Sequence, residues 1–293
     1  MRAVKEKANA KINLYLDVVS RREDGFHDIK SIMHSISLSD AVTVSYAPSK
    51  TTSVRMSVKG SRYLPTDEKN LAVKAALLFL ETACKTAYIH IHLEKRIPIA
   101  AGLAGGSSDA AATLRAMNRL FDKVFTERAL LKMAEKLGSD VPYCLYGKTA
   151  ICEGRGDIIT KLPDTLNLNA VVAVANEHVA TPIAYSTLDG MYSSFDGSIE
   201  TGGEDCYILL LNSIKSGKVN GTGLYNIFEK AILPMCPKAE KIKNRLTELG
   251  AYATLMSGSG PSVFGLFDDE EKAQAACFVL REENVTAYYA TSV

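Results

Sequence analysis

One short run limits what this chain can fold into. Lys95-Arg96 is followed by Pro98-Ile99-Ala100-Ala101-Gly102-Leu103-Ala104-Gly105-Gly106-Ser107-Ser108 and then by the alanine-rich Asp109-Ala110-Ala111-Ala112. Pro98 stiffens the exit from an alternating stretch, Tyr88 to Leu93, that reads as a strand. Glycine lets successive backbone N–H groups turn toward one point and leaves room for a bulky anion. A helix start adds unpaired N–H donors and a partial positive charge. Serine hydroxyls can bond phosphate oxygens or a Mg²⁺-bound water, and Lys95 or Arg96 can lie alongside. The run predicts a phosphate cradle opening a helix from about Ser108 to Phe121. The structural alternative is a plain turn with Ser107 or Ser108 as helix cap.

The flanking sequence predicts an α+β protein. Before the loop, Ile12 to Val19, Ile29 to Leu38, Ala41 to Tyr46 and Ser53 to Val58 read as strands. Asn70 is placed to cap a well-buried helix from Leu71 to Ala83. A helix from Glu127 to Leu137 stops at Gly138. Later come a strand at Ala170 to Ala175 and helices near Pro182 to Leu188, Cys206 to Lys215, Leu224 to Leu233 and Lys238 to Leu249. The end reads strand, loop (Ser257 to Pro261), strand, helix (Glu270 to Glu282), strand. That order suggests an antiparallel sheet with helices on one face. Ser193 to Glu204, rich in glycine, serine and acids, reads as a mobile loop. With 293 residues the expectation is two domains, 1–155 and 156–293.

Composition excludes several classes. Lys and Arg number 34 against 33 Asp and Glu, so no bulk charge favours nucleic acid or an anionic membrane. No stretch approaches the ~18 apolar residues of a membrane span, and no signal-like segment opens the chain. The six cysteines are scattered singly, which suggests neither zinc nor disulfides and leads us to expect a cytoplasmic protein. His90 and His92 alternate on one strand face, but exposed strand polarity accounts for them without a metal. Gly147-Lys148-Thr149 looks like the tail of a P-loop, yet the motif needs glycine at 142, which is Pro142. Gly154-Arg155-Gly156 lacks the third glycine of a dinucleotide fingerprint.

Three segments, widely spaced and in order, resemble the GHMP small-molecule kinases. They are Ala8-Asn9-Ala10-Lys11-Ile12-Asn13-Leu14, Pro98 to Ser108, and Leu255-Met256-Ser257-Gly258-Ser259-Gly260-Pro261-Ser262-Val263-Phe264. The resemblance implies an N-terminal domain like ribosomal protein S5 domain 2, a ferredoxin-like C-terminal domain, and ATP with Mg²⁺ as phosphate donor. Asp24-Gly25-Phe26-His27 and Leu137-Gly138-Ser139-Asp140-Val141-Pro142 narrow it toward members that act on a cytidine diphosphate-linked methylerythritol in isoprenoid precursor synthesis.

The resemblance also implies roles. Asp140 would accept the substrate hydroxyl proton, with an N-cap or Asx-turn as its structural alternative. Lys11 would be the partner cation that keeps that carboxylate ionised and contacts the moving phosphoryl group. Asn13 would share the Lys11 strand face and bond the substrate. Phe26, His27 and Tyr185, with Thr181 in the same segment, would flank the cytosine. Phe26 stands where the family often has Tyr, so any contact from that hydroxyl is lost. Asn70 and Leu71 match a segment near adenine. Gly258, Ser259 and Gly260 would wall the phosphates or the substrate diphosphate, or serve as a plain turn. No dedicated metal ligand is expected; Glu153 and Asp109 are candidates without commitment. Two alternatives stay open: a GHMP kinase for homoserine, mevalonate or a sugar, and a non-catalytic binding module on the same fold. Nothing in the sequence assigns an oligomeric state.

Overall fold

A computed structural model describes residues 2–192, 203–219 and 221–293. The chain divides into two compact units that are discontinuous in sequence: Met1–Ala10, Ser39–Ile99 and Ala104–Gly147 in the first, and Lys11–Leu38, Ala100–Leu103 and Lys148–Val293 in the second. Two long strands, β1 (Arg2–Arg21) and β2 (His27–Pro48), contribute residues to both.

In the first unit, β3 (Ser53–Lys59) runs parallel to β4 (Ala87–Glu94), and β4 runs antiparallel to β2 from Ala41 to Pro48. Along β4, Ala87, Ile89, Ile91 and Leu93 are buried and alternate with more accessible residues, the period of two expected from the sequence. The helices are α1 (Leu71–Thr82), α2 (Gly105–Leu120), α3 (Glu127–Leu137) and α4 (Val141–Tyr146). Asn70 caps α1, its Oδ1 accepting from the Ala72 N–H at 2.9 Å. Phe79 on α1 meets Phe121 and Phe125 edge-on or tilted, with centroids 5.5 and 5.0 Å away.

In the second unit, β5 (Thr149–Gly154) pairs with the first part of β2, and β6 (Ile158–Lys161) pairs with β5. A separate antiparallel sheet holds β7 (Asn169–Val174), β9 (Ala253–Met256), β10 (Val263–Phe267) and β11 (Thr286–Thr291) in the order β11-β7-β10-β9. Numbered along the chain that order is 4-1-3-2, the ferredoxin-like arrangement. Two helices pack on it, α8 (Pro237–Glu248) and α9 (Glu270–Glu282). Their Ile242, Leu246, Ala276 and Leu280 join Val171, Ala173 and Val263 of the sheet in one buried cluster. The other helices are α5 (Thr181–Met191), α6 (Glu204–Lys215) and α7 (Phe228–Ile232).

Three expectations need correction. The strands expected at 29–38 and 41–46 are one, β2, because Asp40 between them does not break the strand. Its Oδ1 accepts from the N–H groups of Arg96 and Ile97, at 2.5 and 2.8 Å, so a buried carboxylate is satisfied without a turn. The helix expected from 224 is shorter because Tyr225 and Asn226 form β8 (Tyr225–Asn226), parallel to β1 at Tyr15 and Leu16. The helix expected from Ser108 starts at Gly105. Of the loop expected at 193–204, residues 193–202 lie outside the described residues, and Glu204 opens α6. Among the described residues no helix is long and apolar enough to cross a membrane.

His34 on β2 is fully buried between two hydroxyls, with Nδ1 2.9 Å from Thr149 Oγ1 and Nε2 2.8 Å from Ser292 Oγ. Burial pushes its pKa down to about 4, only partly opposed by Asp164. A base whose folded value lies below its unfolded 6.5 stabilises the fold above pH 6.5 and loses that contribution as pH falls toward 4. By linkage this amounts to on the order of 3 kcal/mol. His34→Gln is expected to flatten the fall in urea-denaturation midpoint between pH 6.5 and 4. An unchanged slope would assign acid unfolding to other groups.

Candidate active site

The glycine-rich loop leaves β4 through Ile97 and Pro98. Residues 98–99 belong to the first unit, Ala100–Leu103 to the second, and Ala104 returns to the first. Ala104 takes the left-handed conformation (φ 56°) and lets α2 begin at Gly105 with no side-chain cap and no acidic residue in its first turn. Ser108 is not the cap: its hydroxyl donates to the Asn9 carbonyl at 2.7 Å. The first N–H groups of α2 therefore lack both capping partners and a nearby carboxylate in that turn. Such a terminus favours an anion. Gly106 is exposed and Ser107 half-buried at this end.

Beneath the helix start lies a buried charge cluster. The Lys95 ammonium reaches Asp40 Oδ2 at 2.6 Å and Asp109 Oδ2 at 2.8 Å, with side-chain exposures of 5%, 0% and 4%. A Cβ on Gly105 would stand 2.9 Å from Lys95 Nζ and 3.0 Å from Ile97 Cγ2, so glycine there admits the cluster. Lys95, expected beside a phosphate, thus has its ammonium engaged by two carboxylates. Two acids share one ammonium, and burial with Asp40 nearby pushes Asp109 up to about 8 against the pull of Lys95.

In the second unit, Lys11 is 4% exposed. Its ammonium donates to Asn13 Oδ1 at 2.6 Å and to the Gly102 carbonyl at 3.0 Å. Asn13 in turn donates to Ser31 Oγ at 2.8 Å, and Ser31 to the Tyr15 carbonyl at 2.7 Å. Ser257 Oγ also donates to the Gly102 carbonyl, at 3.1 Å. The two glycine loops meet here: a Cβ on Gly102 would collide with the Ser257 carbonyl oxygen, and one on Gly258 would lie 3.0 Å from the Gly102 oxygen. Asn226 ties the second loop down, its Nδ2 donating to the carbonyls of Met256 and Gly258 at 2.7 and 2.9 Å. Among the described residues no carboxylate pairs with Lys11. A buried ammonium held only by neutral acceptors is costly, and a bound anion relieves that cost.

A third cluster follows the β1–β2 turn. Asp24 Oδ1 accepts from the Phe26 N–H at 3.1 Å, and Gly25 takes φ 83°. Phe26 is 52% exposed, with the Arg155 guanidinium 5.1 Å from its ring centroid. His27 is buried and stacks on Tyr185 of α5, centroids 4.7 Å apart and planes 27° apart. Tyr185 packs edge-on against Phe228 at 4.8 Å. His27 Nε2 lies 2.7 Å from Asp189 Oδ1. Thr181 Oγ1 lies 3.1 Å from Ser259 Oγ, joining α5 to the second glycine loop.

Asp140 precedes α4, and its side chain does not cap that helix. Its carboxylate accepts no hydrogen bond among the described residues, so the capping alternative does not hold. Asn70, expected near adenine, uses both side-chain polar atoms locally: Oδ1 in the cap and Nδ2 on the Pro65 carbonyl at 2.9 Å. Leu71 follows it as the first residue of α1. His90 and His92 both contact Ser57 Oγ, at 3.2 and 2.9 Å. Among the described residues no cluster of His, Cys, Asp or Glu is arranged to hold a metal. Sequence reasoning missed Asp40, Asp189 and Asn226; their partners lie 55, 162 and 30 or 32 residues away, beyond any local pattern.

Residues 70–148 match the profile of the GHMP kinases N terminal domain, and residues 210–286 that of the GHMP kinases C terminal. A 4-diphosphocytidyl-2-C-methyl-D-erythritol kinase of Lachnospira eligens is 37% identical over 97% of this chain and 95% of its own length. One of Clostridium botulinum is 40% identical over 98% and 99%. A crystal structure of 4-(cytidine 5'-diphospho)-2C-methyl-D-erythritol kinase superposes with a TM-score of 0.81 at 32% identity, covering 98% of each chain.

Removing Lys95 would strand two buried carboxylates. Lys95→Met is expected to cost about 3–5 kcal/mol in chemical denaturation. Asp109 has the opposite sign to His34: its folded pKa lies above the unfolded 3.8. Its contribution is full below that value and is lost as pH rises through about 8. Asp109→Asn should therefore flatten the decline in stability from pH 4 to 8. A parallel decline in both proteins would contradict a raised Asp109.

Proposed function

The chain belongs to the GHMP kinase family, and we propose that it transfers the γ-phosphate of ATP to the 2-hydroxyl of 4-diphosphocytidyl-2-C-methyl-D-erythritol, in the non-mevalonate route to isoprenoid precursors. The observation that carries this reading is the buried Lys11 ammonium with only neutral partners, in a chain 37–40% identical nearly end to end to kinases of that name.

Phosphoryl transfer leaves the protein little covalent work; positioning and charge stabilisation do most of it. The uncapped amides of Gly105, Gly106 and Ser107, with the Ser107 hydroxyl, hold the triphosphate, Pro98 to Ala104 shape the approach, and Ser108, whose N–H and hydroxyl bond the Ala104 and Asn9 carbonyls, anchors the helix start. Mg²⁺, carried in with ATP rather than held by a dedicated set of side chains, would neutralise charge on the phosphates. Lys11, pre-oriented by Asn13 and the Gly102 carbonyl, supplies positive charge to the transferring phosphoryl group. Asp140 takes the proton of the attacking hydroxyl. Asn13 bonds the acceptor, and Gly258, Ser259 and Gly260 with Thr181 wall its diphosphate. Phe26, His27 and Tyr185 receive the cytosine, with ring faces to stack on and one imidazole to read its edge. Asn70 and Leu71 lie toward adenine, Asn70 acting through the start of α1 rather than through its own side chain. The six cysteines are free thiols, which fits a reducing, cytoplasmic setting.

Asp140→Ala is expected to lower kcat by about 10²–10⁴ while calorimetry still detects nucleotide binding. Unchanged turnover would remove Asp140 from the mechanism. A panel of acceptors monitored by ADP release checks the substrate. Turnover of the cytidyl substrate, and not of homoserine, mevalonate or a sugar, is the expected result. The reverse pattern would reassign the chain within its family.

A further inference from the structure

His27 faces a constraint that its stacking role does not need. Its Nε2 lies 2.7 Å from Asp189 Oδ1, and Arg21 stands 3.8 Å from the other oxygen, Oδ2. An ionised carboxylate only accepts hydrogen bonds, so the ring proton at this contact sits on Nε2. In a neutral imidazole the other nitrogen, Nδ1, is then a lone-pair acceptor. Among the described residues Nδ1 has no hydrogen-bond partner. Asp189 lies one helical turn after Tyr185 on α5, so one helix supplies both the ring stacked on His27 and the carboxylate that bonds it.

We infer that Asp189 is a specificity-determining positioning residue: by holding the proton on Nε2, it makes His27 an acceptor that selects a base with an exocyclic amino group. This rests on the cytosine reading given above. Cytosine offers an amino donor at its 4-position, whereas uracil offers a carbonyl acceptor there. An Nδ1 lone pair bonds the first and opposes the second. Without Asp189 the imidazole can change tautomer and present N–H at the same place, which would suit uracil. Asp189 does not touch the base; it acts through His27.

The tautomer is measurable without any substrate, from the ¹⁵N shifts of histidine-labelled protein above pH 7.5. The wild type should show His27 protonated on Nε2 and bare at Nδ1. Calorimetry with CMP and UMP then reads selectivity. We expect the wild type to prefer CMP, Asp189→Leu to lower the CMP-to-UMP affinity ratio about tenfold, and Asp189→Glu, which keeps a carboxylate, to restore most of it. In turnover the loss should appear in KM for the cytidyl substrate rather than in kcat. A wild-type His27 protonated on Nδ1, a wild type without preference for CMP, or an unchanged ratio in Asp189→Leu each overturns the inference. Failure of the substrate reading looks different: the wild type would phosphorylate another acceptor while the tautomer and CMP preference stand.

Discussion

The Lys11 ammonium is the interaction on which the meeting of β1 with the two glycine loops depends. It reaches Asn13 on its own strand and the Gly102 carbonyl of the first glycine loop, and Ser257 of the second loop donates to that same carbonyl. One buried charge thereby fixes a strand and two loops. Desolvating an ammonium without a carboxylate partner is expensive, and proteins rarely tolerate it away from a functional site. The expense is explained if the missing partner is the anion the enzyme handles. Asn13 and Ser31 then form a relay that holds the lysine in place from behind.

The first unit solves a related problem with the opposite arrangement. An anion-binding helix start needs free N–H groups and no nearby uncompensated negative charge. Here Asp109 lies in α2 itself and Asp40 lies beneath the loop, yet both are neutralised through Lys95 and through the raised pKa of Asp109. Asp40 also satisfies the backbone N–H groups of Arg96 and Ile97 where the loop leaves β4. The cluster stiffens the base of the loop while keeping its net charge small. Lys95 thus braces the start of α2 from below, its ammonium held by Asp40 and Asp109 rather than turned out beside the glycines.

Much of this was legible because it is local. The alternation along β4, the Asn70 cap and the β–β–α–β ending are set by neighbours a few residues apart, and they stand where periodicity put them. The misread boundaries had distant causes. Ser39-Asp40 looks like a strand break until the Arg96 and Ile97 amides satisfy Asp40. Tyr225 and Asn226 look helical until β1 recruits them. Ser107 and Ser108 look like caps until the left-handed Ala104 starts the helix earlier. Asp189 illustrates the same limit at the site: nothing around residue 189 announces a histidine 162 positions away. The roles of Lys11, Asp140 and Phe26-His27 came from family resemblance. The geometry adds which partners Lys11, Phe26 and His27 have.

The N–H groups of Gly105, Gly106 and Ser107 that open α2 are left uncapped, and the proposed kinase uses them to receive a triphosphate. Titrating ¹⁵N-labelled protein with a non-hydrolysable ATP analogue and Mg²⁺ tests that role directly. The amide resonances of Gly105, Gly106 and Ser107 are expected to shift in a saturable way, among the largest changes in the spectrum. Saturable nucleotide binding that leaves those three resonances in place would rule that role out.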